Sequence, residues 1–129
     1  MNYKNANAAV DFLKKAFGFN EHFVYRDENN NVHHAELSLG NAMVMLGPQR
    51  PESDFGKMTA TPVEVNGVNT QTVYIIIDEI DAHYKNAKAN GAEIIMDIKD
   101  EDYGGRGYSC KDPEGYIWSF GSYNPYSEK

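Results

Sequence analysis

Cysteine occurs once in this chain, at Cys110, so no intramolecular disulfide can staple the fold, and a reducing compartment, the cytoplasm, is expected. Long apolar runs are missing as well. No stretch approaches the roughly 20 residues that cross a bilayer as a helix, and no basic-then-apolar leader opens the sequence, so no membrane partner is expected. Basic residues are outnumbered by acidic ones, 12 against 19, and the net charge of −7 argues against nucleic acid or an anionic lipid surface as partner. Proline is scarce, and three of the five fall together at Pro48, Pro51 and Pro62. At 129 residues the chain can bury one respectable core and is too short for two independent domains.

What is present is a repeat. Asp112-Pro113-Glu114-Gly115 has the residue types of a type I turn, with Pro presetting φ, Asp capping and Gly closing. Ile117 and Ser119 then alternate with Trp118 and Phe120, as in a strand with two different faces. Gly40-Asn41-Ala42-Met43-Val44-Met45-Leu46-Gly47 has the same shape 75 positions earlier. Ala16-Phe17-Gly18-Phe19 precedes Ala89-Asn90-Gly91-Ala92 by 73 positions, each closing an amphipathic run. Asn5 and Asp78 stand at matching cap positions ahead of those runs. A period this long excludes a solenoid and indicates two copies of one module of roughly 50 residues.

Periodicity predicts a helix over 5–17 with Val10, Leu13 and Phe17 buried and Gly18 closing it. Strands follow at 22–26, 32–39 and 42–46, the first two joined through the turn cluster 27–31. The second copy opens with the β-branched strand 72–77, continues with a helix over 80–89, and ends in strands near 93–98, 107–111 and 116–121. The expected fold is therefore α+β: one domain over 1–129, built as two tandem β-α-β-β-β modules. Module one covers 1–47, a Pro-containing linker 48–70, module two 71–121 and a tail 122–129. The repeat offset carries the counterpart of Thr72 to a position before Met1, so the first strand is expected to be truncated, with Asn2, Tyr3 and Lys4 remaining. A partner chain could complete such an edge.

Two such modules, each with a Gly-closed helix and the second ending in D-P-x-G-x-x-W, resemble the vicinal oxygen chelate superfamily of glyoxalase I, bleomycin-resistance proteins, fosfomycin-resistance enzymes and extradiol dioxygenases. The likeness rests on Ala9-Val10-Asp11-Phe12-Leu13, Ala16-Phe17-Gly18-Phe19, His34-Ala35-Glu36-Leu37, and Tyr103-Gly104-Gly105-Arg106 with Asp112-Pro113-Glu114-Gly115. The resemblance implies that the modules form a curved mixed sheet around a cleft, helices outside. It also implies a small-molecule pocket, commonly completed by pairing modules within or between chains, so a symmetric homodimer is expected.

Members of that family typically hold a divalent ion with His, Gln or Glu from the first and last strands of each module. Carried over residue by residue, those positions are Ser119, its repeat partner Val44, and Thr72, with the fourth position lost before Met1. None of the three is a usual ligand for such an ion, so no metal and no cofactor are expected. Trp118 and Phe120, and with them Met43 and Met45, are expected in the core, as is Cys110.

Other polar groups are candidates for chemistry. His34, Glu36 and Ser38 share a strand face. They are read either as a ligand-binding or proton-transferring pair in the cleft, or as a solvated strand face, or as an off-pattern metal site. Arg106, beside Gly104 and Gly105, either clamps an anionic group in the cleft or pairs with Asp100, Glu101 or Asp102. His22 and His83 are expected at the surface. The favoured function is metal-free sequestration of an apolar or aromatic small molecule by His34, Glu36, Val44, Thr72, Tyr74, Arg106 and Ser119. A glyoxalase-like lyase or isomerase acting on a carbonyl through His34 and Glu36 is the alternative.

Overall fold

The computed structural model describes residues 1–127; the last two residues of the expected tail, Glu128 and Lys129, lie outside them. The chain order is β1 (Asn2–Tyr3), α1 (Ala6–Phe17), β2 (Asn20–Arg26), β3 (Val32–Leu39), β4 (Ala42–Pro48), β5 (Val73–Ile76), α2 (Ile80–Ala89), β6 (Glu93–Asp100), β7 (Arg106–Lys111) and β8 (Ile117–Gly121). Two β-α-β-β-β units result. Their sheets run β1-β4-β3-β2 and β5-β8-β7-β6, with the first strand of each parallel to the last and the other pairings antiparallel. β1 holds two residues where its counterpart β5 holds four. The linker is not featureless: short 3-10 turns at Gly56–Met58 and Pro62–Val65 fold it, the second closed by a capping box between Thr61 and Glu64.

Local chemistry explains the two helices, which differ in quality. The Asn5 side chain accepts from the Ala8 amide at 3.0 Å, and Gly18 at φ 84° ends α1 with its own and the next amide returned to Lys14 and Leu13. α1 buries a continuous face of Ala6, Ala9, Val10, Leu13, Ala16 and Phe17. α2 is weaker. The expected cap at Asp78 is not made, Glu79 occupies the cap position without a side-chain bond, and only Ile80 and Ala87 are buried.

α2 completes α1 instead. Asn86 donates to the carbonyls of Lys15 and Ala16 at 2.7 and 3.2 Å, and His83 Nε2 donates to that of Phe17 at 2.8 Å. These are carbonyls at the end of α1, where intrahelical partners run out. Because a carbonyl can only accept, Nε2 carries the proton and Nδ1 accepts from the Tyr108 hydroxyl at 2.7 Å. His83 is therefore a half-buried joint between modules rather than the surface residue expected, its ring 4.4 Å from that of Phe120. The aromatic core crosses the same boundary, with Phe17 against Trp118 and Phe120 at 5.4 and 4.8 Å. Trp118, Phe120 and Cys110 are fully buried as expected, and burial pushes the Cys110 thiol up to about 12, which leaves it unreactive.

The Asp112 turn forms as the sequence predicts, with Gly115 N–H bonded to the Asp112 carbonyl and φ 89° at Gly115. Asp112 Oδ1 accepts the amides of Glu114 and Tyr116. Its Oδ2 accepts from the Tyr3 hydroxyl at 2.6 Å and Trp118 Nε1 at 3.1 Å. Glu114 accepts the amides of Lys4 and Asn5, so the same turn holds the first strand and the start of α1.

Two expectations follow. Asp112→Ala leaves two buried donors unanswered and should cost about 3 kcal/mol of unfolding free energy, against about 1 kcal/mol for Tyr3→Phe. Urea melts followed by the fluorescence of Trp118 measure both, and a loss at Asp112→Ala no larger than that at Tyr3→Phe contradicts this role. Burial lowers the His83 pKa from its ordinary 6.5, only partly opposed by the bond to Phe17. The unfolded chain then binds the extra proton more readily, so stability contributed by neutral His83 is complete above pH 6.5 and declines as pH falls toward the depressed folded value. His83→Gln should flatten that slope.

Candidate functional site

Each sheet turns one face to the helices and leaves the other open. On the second sheet a row of side chains crosses all four strands: Tyr74 of β5 is paired with Ser119 of β8, Ser119 with Ser109 of β7, and Ser109 with Met96 of β6. The neighbours Ile75, Phe120, Trp118 and Cys110 point the other way into the core. The Ser109 and Ser119 hydroxyls bond each other at 2.7 Å, and the Tyr74 hydroxyl donates to the Tyr123 carbonyl at 2.8 Å. Thr72 and Tyr103 border the row, enclosing a cavity of 330 Å³. Tyr74 is held over Gly121, where a Cβ would lie 2.5 Å from its hydroxyl oxygen. Burial raises the Tyr74 phenol pKa, so it stays a neutral hydroxyl near pH 7.

On the first sheet the open face carries Phe23 and Tyr25 of β2, His34 and Glu36 of β3, and Met43 and Met45 of β4. His34 Nε2 and Glu36 Oε2 are 2.9 Å apart, and His22 Nε2 lies 4.0 Å from Glu36 Oε1.

The structure thus brings Thr72, Tyr74 and Ser119 together but sets His34 and Glu36 on a different sheet, where His34 borders a separate groove. Val44 belongs to neither. It is paired with the fully buried Leu37 and packs against the core, while Met43 and Met45, expected inside, are 44% and 54% exposed. The reason is turn length. The β3–β4 turn leaves only Gly40 and Asn41 between paired residues, whereas the β7–β8 turn leaves residues 112–116, so the repeat counted from its glycines slips by an odd number. An odd slip exchanges the two faces of a strand. Arg106 is also committed elsewhere: its guanidinium bonds Asp100 at 2.9 Å and Asp81 of α2 at 3.2 Å, and these partners raise its pKa. Met96 and Ser109 were missed by sequence reasoning, and of the loop Tyr103-Gly104-Gly105-Arg106 it is Tyr103 rather than the expected Arg106 that borders the cavity. The register of the β7–β8 hairpin, fixed by the Asp112 turn, was the signal that could have found Ser109.

A family model for the Glyoxalase/Bleomycin resistance protein/Dioxygenase superfamily matches residues 1–120, and the chain belongs to that superfamily. An uncharacterized protein of Mycobacterium bovis is 30% identical over 117 residues, spanning 91% of this chain and 76% of that protein. Among solved structures, TioX from Micromonospora sp. ML1 superposes with a TM-score of 0.74 at 26% identity, covering 94% of this chain and 92% of its own. A Glyoxalase/bleomycin resistance protein/dioxygenase superfamily member from Sphaerobacter thermophilus shares the fold, with a TM-score of 0.66 at 18% identity and coverage of 94% and 90%.

The divalent ion that the family implies does not fit the residues found here within one chain. Among the described residues no group of three or more His, Cys, Asp or Glu converges. Where the carried-over ligand positions reach the second sheet they hold hydroxyls, one of them already bonded to Ser109.

Gly121→Ala should push Tyr74 off its seat and cost about 1–3 kcal/mol through overpacking, part of which Tyr74→Ala in the same chain recovers. A crystal structure of Gly121→Ala with Tyr74 unmoved contradicts this packing.

Proposed function

We propose that this protein is a metal-independent binder of an apolar or aromatic small molecule, held on the open face of the second sheet. The observation that carries the reading is the lining of the 330 Å³ cavity. Tyr74, Tyr103 and Met96 offer broad apolar surface, Thr72, Ser109 and Ser119 place a few hydroxyls beneath it, and Asp97, Lys99 and Glu101 add charge to the lining, the mixed composition of a ligand pocket. A symmetric homodimer accompanies the reading. The support is the exposed apolar set Phe23, Tyr25 and Met43 on the open face of the first sheet, a surface that a second copy would cover. The lyase or isomerase alternative draws on the His34–Glu36 contact, but His34 borders a different groove.

A thermal-shift screen with planar aromatic compounds should find ligands that raise the melting temperature of the wild type and not of Tyr74→Ala, with affinity unchanged by chelator. Failure of the whole aromatic panel, or loss of binding on removing metal, contradicts the proposal. Light scattering at micromolar concentration should give twice the monomer mass, and a purely monomeric profile contradicts the dimer.

A further inference from the structure

A groove of 510 Å³ lies against the first sheet where the linker folds back over β4, and it shares no residue with the cavity on the second sheet. Its charge is unlike that of the whole molecule. The chain carries a net charge of −7, yet no Asp or Glu lines this groove, which instead presents Arg50, His33 and His34. The three arginines of the sequence behave differently. Arg26 pairs with Glu21, and Arg106 with Asp81 and Asp100, while Arg50 has no carboxylate or other polar partner for its side chain among the described residues.

Arg50 is nonetheless well placed. Its carbonyl accepts from the amide and hydroxyl of Ser53 at 3.1 and 2.9 Å, and the Ser53 hydroxyl in turn accepts from the Gly56 amide. Gly56 approaches so closely that a Cβ there would lie 1.8 Å from the Arg50 carbonyl oxygen, so only glycine permits this turn. The backbone is pinned and the guanidinium is left without an acceptor. His33 is answered by Asp27 outside the groove. His34 turns Nε2 to Glu36, leaving Nδ1 as the ring nitrogen without a partner. Phe55 and Met45, both more than half exposed, supply an apolar wall.

We infer that this groove is a second ligand site, selective for a small organic anion: a carboxylate carried on an aromatic or apolar body, with the carboxylate on Arg50 and the body against Phe55 and Met45. The guanidinium fork matches a carboxylate in two parallel hydrogen bonds, and charge complementarity separates this site from the cavity on the other sheet, whose lining includes the carboxylates Asp97 and Glu101.

The test is titration calorimetry of the full-length protein with naphthoate and with its neutral counterpart naphthamide. Naphthoate should bind at least about tenfold more tightly than naphthamide. Arg50→Gln should remove that preference and Arg50→Lys should keep part of it, while Lys85→Gln, an equal loss of charge on α2, should leave it intact. Equal affinity for the two compounds, or a preference that survives Arg50→Gln, overturns the inference. Because Tyr74 and Ser119 lie in the other cavity, a negative result in the aromatic screen there leaves this outcome independent.

Discussion

The Asp112 carboxylate fastens three parts of the chain at once. Oδ1 closes its own turn through the Glu114 and Tyr116 amides, while Oδ2 joins Trp118 of β8 to Tyr3 of β1. Desolvation raises the pKa of this buried group, and four donors oppose that rise only in part. A two-residue strand cannot hold itself on a sheet edge by pairing alone, since β1 contributes only the Asn2–Gly47 and Tyr3–Pro48 register to β4. Its second anchor is in the other module. The Tyr3 hydroxyl reaches Asp112, and the Tyr116 hydroxyl donates to the Asn2 carbonyl. The turn that ends module two therefore positions the start of module one, and the shared aromatic core of Phe17, Trp118 and Phe120 grows around that junction.

Local signals were legible in the sequence wherever a residue acts on its own neighbours. Asn5 caps α1, Gly18 closes it, and Asp112 shapes the turn around it, because each of these bonds spans only a few residues. What stayed hidden was long-range. Nothing near His83 announces that its imidazole will seal the end of a helix 66 positions earlier. The face of Val44 depended on whether a turn encloses an odd or even number of residues, and a repeat counted by its glycines cannot register that difference. Arg106 had acidic neighbours in sequence, but its second partner, Asp81, comes from the first turn of α2 and became visible only in the fold.

The same reasoning explains why the candidate site was half readable. Thr72, Tyr74 and Ser119 came together because β5 and β8 are adjacent and in parallel register, a placement that the family resemblance implied. His34 and Glu36 did meet each other, being two apart on one strand of module one, but they stand on the open face of the first sheet, away from Thr72, Tyr74 and Ser119. The row Tyr74–Ser119–Ser109–Met96 needs the register of two hairpins, one of which carries a bulge between Ile94 and Met96.

Superfamily membership fixes the scaffold here and leaves the chemistry to what stands on the open faces. On the second sheet those positions are hydroxyl, phenol and thioether, groups that can shape and orient a neutral ligand but bring no fixed charge to the row itself. Charge sits at the margins instead: Asp97, Lys99 and Glu101 near that cavity, Arg50 and the histidines in the groove of the first sheet. A scaffold built twice from one module thus presents two chemically different surfaces, and the difference traces to particular residues on the open faces: the hydroxyls of Ser109 and Ser119 on one sheet, His34 and Glu36 on the other. What differs between the two surfaces is therefore carried by side chains, since both sheets follow the same β-α-β-β-β course with the same strand order.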